Sequence, residues 1–312
     1  MPPDAVLRIE ECPMSDPKRS PFVDGWLGTD EIQRSFAEWR PTLSRAAPAL
    51  VGDEGDGGPI LLYKAFRDVL GAYPAYPEQA IGDCVGHGHG HGLDMLQCVE
   101  IALGAAMSFR ESSTEFIYGI SREVAGILGG RDGSYGSAAV SAMSTIGVAS
   151  RETLGCEGPY DGERARLWGR DGVPAEIKAR AAGMRIGSAA RVTTWAELLA
   201  AMKNGYPVTV CSTQGFAMER DAEGFCAPEG SWGHCMLIGG LRADRPGACI
   251  LQSWGPEEPT GPLALDQPSY SFWADKSVIE GMLAQGDSWA LAGAPRFAAR
   301  ALPEHWSYHQ AA

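Results

Sequence analysis

The chain has 312 residues, 45% apolar and 21% charged, enough apolar side chain for a sizeable core in one two-lobed domain or two smaller ones. Acidic residues outnumber basic ones, 39 to 26, and the net charge of −13 argues against general binding to a nucleic-acid backbone, which needs clustered Lys and Arg. No run of roughly 18 apolar residues is present, so no membrane span is expected, and Met1-Pro2-Pro3-Asp4 opens without the basic and apolar regions of a signal peptide, so a cytoplasmic location is expected.

Residues 1–60 read as an N-terminal arm and loop: residues 1–20 are rich in Pro and charge with little periodicity, and residues 52–59 are a turn-rich stretch of Gly, Asp and Glu. Residues 61–184 read as a helical lobe. Within it, Leu93 to Met107 is apolar almost all round, as a buried helix would be. Thr114 to Leu128 is a second helix closed by Gly129-Gly130, and Ser137 to Ile146 a third ended by Gly147. Residues 185–296 read as a β-rich lobe. Thr194-Trp195-Ala196-Glu197 is a capping box opening a helix to about Asn204. Short apolar runs follow at Pro207 to Ser212, Cys235 to Leu241, Ala248 to Trp254 and Ser288 to Leu291, each bounded by Gly, Pro or Asp as strands are. Residues 297–312 form a tail in which His305 and His309 are expected at the surface. Helices followed by strands imply an α+β fold of two packed lobes, with a site in the cleft between them.

Eight cysteines are scattered at 12, 84, 98, 156, 211, 226, 235 and 249 with no Cys-x-x-Cys pair, and are expected to be reduced, small core residues. Cys84 stands apart. A Gly82-Asp83 turn ahead of a buried helix puts its sulfur near the helix N-terminus, where unpaired N–H groups and the dipole favour a thiolate. His234 stands at the mouth of an apolar strand, Gly233-His234-Cys235-Met236-Leu237-Ile238. The next strand ends in Gln252-Ser253-Trp254-Gly255, so His234 and Gln252 would meet at one sheet edge. A nucleophile, a base and a third group orienting the base is general triad logic, and an amide oxygen can accept from an imidazole N–H.

Taken in order, these segments resemble the papain-like cysteine peptidases over roughly residues 70 to 260. That family places a Gln, then a Cys opening a buried helix, then a His starting a strand, then an Asn-Ser-Trp-Gly segment. The counterparts here are Gln79, Cys84, Gly233-His234 and Gln252-Ser253-Trp254-Gly255. Thr145-Ile146-Gly147-Val148 and Gly158-Pro159-Tyr160-Asp161-Gly162 are similar to further family segments between them. The resemblance implies a papain-like fold with a helical left lobe carrying the Cys-bearing helix and a β-barrel-like right lobe. It implies Cys84 as nucleophile and His234 as general base and acid. Gln252 would orient the imidazole under the shield of Trp254, with Gln79 and the Cys84 N–H as oxyanion hole. Ser253 comes with the motif, and Trp232 beside His234 is a candidate pocket wall. The sequence departs from the family at Gln252, which replaces Asn. Gln79 lies five residues before the cysteine instead of six, Val85 replaces an aromatic, and Pro256-Glu257-Glu258-Pro259 replaces a Gly-rich stretch. Gly82-Asp83-Cys84-Val85 and Phe272-Trp273-Ala274-Asp275 are similar to tailed-phage proteins of this fold, which implies a virion-associated alternative to the cytoplasm. No helical inhibitor-like pattern precedes the cysteine, so a removable pro-segment is not expected.

Gly86-His87-Gly88-His89-Gly90-His91-Gly92 is the most unusual stretch. On a helix from Cys84, positions 84, 87 and 91 share a face and His89 points away. Four helical glycines cost about 0.8–1 kcal/mol each against Ala. Three readings stay open: close packing of another backbone, tuning of the Cys84 thiolate by nearby positive charge, and a metal site of Cys84, His87 and His91 that lacks a nameable fourth ligand. The expected function is a thiol hydrolase acting on a peptide or isopeptide bond, with a peptide or protein as partner and no cofactor, nucleic acid or membrane. The alternative is a weakly active or inactive papain-fold structural or binding protein, such as a virion component.

Overall fold

The computed structural model describes residues 25–52 and 59–307. The arm at 1–20, Cys12, most of the loop at 52–59 and His309 lie outside the described residues. In chain order the elements are α1 (Glu31–Glu38), α2 (Leu43–Ala46), β1 (Ile60–Leu61), α3 (Lys64–Leu70), α4 (Cys84–Ala102), α5 (Thr114–Ala125), α6 (Gly136–Thr145), α7 (Gly162–Asp171) and α8 (Ala175–Ala181). They continue as β2 (Ser188–Arg191), α9 (Trp195–Lys203), β3 (Val208–Arg220), β4 (Cys226–Arg242), β5 (Gly247–Leu251), β6 (Ser271–Asp275), α10 (Lys276–Leu283) and β7 (Asp287–Ala292), with a short 3₁₀ turn at Glu304–Trp306.

The strands form one antiparallel sheet in the order β2-β7-β3-β4-β5-β6, with β1 pairing onto β4. Its main core takes in Phe66 of α3, Met95 and Val99 of α4, Leu198 of α9, Ile279 and Met282 of α10, and Trp306 of the returning C-terminal segment. A second core, around Phe116, Ile120, Trp168, Val173 and Ile177, joins α5, α7 and α8. The α+β order expected from the sequence is therefore the observed one.

Element ends differ from expectation for local reasons. α5 starts where Ser113 accepts from the Phe116 N–H, but stops at Gly126 (φ 70°), the first glycine able to take the left-handed cap, and not at Gly129-Gly130. α9 opens with Thr194 accepting from Glu197 N. The Glu197 carboxylate then bonds Thr193 N (2.8 Å) and Ser44 Oγ (2.6 Å), so the helix start is pinned to α2. β3 and β4 run well past their apolar stretches through bulged, exposed pairings, which hydrophobic runs alone do not reveal.

The central helix, α4, begins at Cys84 itself and is buried over nearly its whole length. Its glycines explain how. Gly86 and Gly90 face α5: a Cβ at Gly86 would run into Thr114 O, and one at Gly90 would lie 2.9 Å from Thr114 Cγ2. Gly88 and Gly92 face the sheet, where a Cβ would lie 2.7 Å from Cys235 Sγ and 3.2 Å from Leu291 Cδ1. Close backbone approach on two sides is what the four glycines serve.

Gly86→Ala should lower stability by about 1–3 kcal/mol through overpacking despite its better helix propensity. Gly281→Ala in α10, where a Cβ meets nothing within 4 Å, should raise it by about 0.5–1 kcal/mol. Urea midpoints of the two variants, measured side by side, check this.

Candidate active site

Cys84 is the first residue of α4 and is fully buried. The preceding Asp83 occupies the cap position but does not cap. Its Oδ2 accepts from Tyr160 Oη (2.9 Å), and Tyr160 Oη in turn accepts from Ala80 N (3.0 Å), so residues 80–83 are fixed against the loop before α7. The Cys84 sulfur accepts a hydrogen bond from the backbone N–H of Cys235 (3.4 Å). The residue next to His234 thus touches the sulfur, and two residues 151 positions apart meet, as the sequence pattern requires.

His234 lies in β4 opposite Ser212 of β3 and is fully buried. Trp254 stacks on its ring, centroids 4.3 Å apart and planes at 17°, and Trp232 packs edge-on against Trp254 at 4.9 Å. Trp232 is therefore a buried support of the imidazole stack and not an open pocket wall. Among the described residues neither ring nitrogen of His234 has a hydrogen-bond partner. Burial, reinforced by the nearby His87, pulls its pKa down to about 3, so the ring is neutral at ordinary pH.

Two side chains take other partners than the expected ones. The Gln252 amide donates to Gly255 O (3.2 Å) and Glu258 O, and its oxygen accepts from Trp254 N. Its extra methylene folds it back on its own turn, so it does not bond the His234 ring. Gln79 donates from Nε2 to Ile81 O (2.9 Å) and accepts at Oε1 from Ser253 Oγ (2.6 Å), while its N–H bonds Ser253 O (2.8 Å). Gln79 and Ser253 thereby clasp the loop before Cys84 to the turn after β5.

The histidine run divides as the helical spacing implies. His87 and His91 share a face, with rings 5.5 Å apart. His87 lies against Tyr160 and 3.6 Å from Asp83 Oδ2, and His91 stacks on Tyr76 at 3.5 Å. Burial first, then His87 and Arg151, push the His91 pKa well down. His89 points the other way, with Nδ1 against Val85 O (2.9 Å) and Nε2 near Thr209 Oγ1 (3.3 Å). Among the described residues no three His, Cys, Asp or Glu side chains gather as a metal ion would need. The exposed His305 pairs with Asp68 (2.7 Å).

Sequence reasoning missed a strap of the chain's own backbone. Gly25 N and Trp26 N both donate to Gly233 O (2.8 Å each), Ser134 N donates to Gly25 O (2.8 Å), and Leu27 N donates to Ser134 O (3.1 Å). A Cβ at Gly25 would strike Gly82 O, so the strap lies directly on the turn before Cys84. The Trp26 indole N–H bonds the buried Asp287 carboxyl (2.8 Å), which also accepts from Trp289 Nε1 (2.8 Å) and Gly136 N (2.9 Å). An acidic residue opening an apolar strand, Asp287-Ser288-Trp289-Ala290, was the available signal.

The depressed His234 pKa has a thermodynamic sign. Between pH 6.5 and about 3 the unfolded chain binds this proton and the folded one does not, so the contribution is complete above pH 6.5 and declines with acidification. His234→Gln should flatten the pH dependence of unfolding free energy by about 1.4 kcal/mol per pH unit between pH 6 and 4. Asp94, raised by burial to about 7, works in the opposite direction but is common to both proteins and cancels in the difference. Urea titrations at several pH values read that slope.

No protein-family model matches the sequence, and no curated protein is similar enough to match. Solved structures do match. Xylellain, a cysteine protease from Xylella fastidiosa, is 15% identical, with 88% of this chain and 97% of that one covered at a TM-score of 0.61. Procathepsin B S9 from Trypanosoma congolense is 10% identical over 88% of this chain and 87% of that one, TM-score 0.56. Digestive procathepsin L 3 of Tenebrio molitor larval midgut is 12% identical over 83% and 77%, TM-score 0.54. The chain has the fold of the papain-like cysteine proteases.

Proposed function

We propose that this chain is a thiol hydrolase of peptide or isopeptide bonds, with Cys84 as nucleophile and His234 as general base and acid. The observation that carries the reading is the hydrogen bond from Cys235 N to Cys84 Sγ at 3.4 Å. It seats the sulfur at the start of a 19-residue helix and beside the strand position of an imidazole whose ring nitrogens have no hydrogen-bond partner among the described residues. The solved structures named above, a cysteine protease and two procathepsins, point the same way.

In the reaction the neutral His234 takes the Cys84 proton, and the sulfur attacks the carbonyl carbon. The oxyanion is received by the Cys84 N–H at the helix start and by Gln79 Nε2, which exchanges its bond to Ile81 O for the substrate oxygen. The tetrahedral species collapses, the C–N bond breaks, and His234 returns its proton to the leaving amine. Water, deprotonated by His234, then splits the thioester and releases the acid. In the closed structure burial disfavours the imidazolium this cycle requires, so displacement of the strap and entry of polar substrate are part of activation.

The bonding of Gln252 to its own turn favours a second reading, a papain-fold binding or structural protein with little or no turnover. An epoxide-type thiol inhibitor followed by intact mass separates the two. A single adduct, lost in Cys84→Ala and slowed in His234→Ala, with parallel loss of fluorogenic peptide cleavage, is expected for the hydrolase. No adduct from pH 5 to 9 would establish the inert reading. Trp26→Ala should speed labelling by about tenfold or more, because a hydrogen bond to a charged acceptor is worth about 1.5–3 kcal/mol and its loss populates the open strap. An unchanged rate would show that the strap does not limit access.

A further inference from the structure

Behind the proposed nucleophile lie two more buried thiols. Cys211 of β3 and Cys235 of β4 are direct cross-strand partners. The Cys235 N–H points to Cys84 Sγ and not toward Cys211. The pair is therefore of the non-hydrogen-bonded kind, in which opposed Cα atoms lie about 4.5 Å apart and side chains approach most closely. That separation falls within the range of about 4.4–6.8 Å that a disulfide spans. His89 Nδ1 stands 3.8 Å from Cys235 Sγ. Gly88 and Gly136 leave the room: a Cβ at Gly88 would lie 2.7 Å from Cys235 Sγ, and one at Gly136 2.8 Å from Cys211 Sγ.

We propose that Cys211 and Cys235 form a peroxide-closable dithiol, a modification site distinct from the Cys84–His234 pair. The geometry splits the roles. His89 Nδ1 lies 3.8 Å from Cys235 Sγ, and this contact favours a thiolate on Cys235 against the burial that disfavours it. Cys235 is therefore the attacking sulfur and Cys211 the resolving one.

The chemistry balances with a hydroperoxide as oxidant. The Cys235 thiolate attacks one peroxide oxygen; the S–O bond forms, the O–O bond breaks, and hydroxide leaves to be protonated to water. The Cys211 sulfur then attacks the Cys235 sulfenic sulfur. The S–S bond forms, the S–O bond breaks, and hydroxide departs with the Cys211 proton as a second water. Two thiols are oxidised and one peroxide is reduced. Hydrogen peroxide is scarcely larger than water, so a local opening around the pair admits it. A dithiol reductant reverses the bond by exchange.

The test uses the full reduced chain, treated with hydrogen peroxide, blocked with N-ethylmaleimide and digested without reductant. Mass spectrometry should find the Cys211 and Cys235 peptides joined, two hydrogens lighter than their sum, and separated by dithiothreitol. The same bridge should form in Cys84→Ala, which abolishes the proposed hydrolase, so the two readings fail independently. His89→Gln should slow bridge formation several-fold relative to wild type. Recovery of both cysteines as maleimide adducts after peroxide treatment would overturn the proposal, as would a Cys84–Cys235 bridge in its place, or Cys235 trapped as sulfinic acid while Cys211 remains alkylated.

Discussion

The N–H of Cys235 reaches the sulfur of Cys84 only because α4 presses on the sheet with no side chain between them at Gly88 and Gly92. The same helix presses on α5 through Gly86 and Gly90. Backbone-to-backbone contact of this kind fixes the Cys84 sulfur far more rigidly than interdigitated flexible side chains would, because there are few rotamers left to adjust. Each glycine in place of alanine weakens the isolated helix, and burial of the helix on both faces offsets that cost. Every distance in the site inherits its value from this approach.

Around that contact the molecule keeps several buried polar atoms without hydrogen-bond partners. Both ring nitrogens of His234 and of His87, Asp83 Oδ1, Trp232 Nε1 and Tyr270 Oη are in this condition among the described residues. Buried unsatisfied groups carry a desolvation cost of about 1–3 kcal/mol each and are uncommon in native proteins. Trp254 holds the imidazole by ring stacking, and Gln79 and Ser253 hold the flanking loops, so orientation is supplied by packing where the expected amide bond is absent.

Cys84 and His234 were legible in the sequence because each sits in a strong local pattern: a Gly-Asp turn before a buried helix, and a histidine at the mouth of an apolar strand. The faces of the histidine run were legible too, since helical spacing alone puts His87 and His91 together and sends His89 the other way. What stayed hidden depends on contacts between distant segments. The Trp26 bond to Asp287 spans 261 positions, and the acidic residue that opens the apolar strand gives no hint of its distant partner. Gln252 was found by position, but whether its amide faces a histidine or its own turn is decided by one methylene and by the shape of the loop after it. The Cys211–Cys235 partnership is a matter of register, which apolar alternation fixes only once both strands are known to pair.

The alternating glycines of α4 also bear on how this sequence can change over generations. Any single-base change that turns a glycine codon into another amino acid introduces a Cβ, and at Gly86, Gly88 and Gly90 that atom collides with a neighbouring element. The segment therefore has no neutral path by which to drift one position at a time. Substitution there demands a simultaneous retreat of α5 or of the sheet, so geometry alone restrains this stretch of the gene, whatever the thiol does.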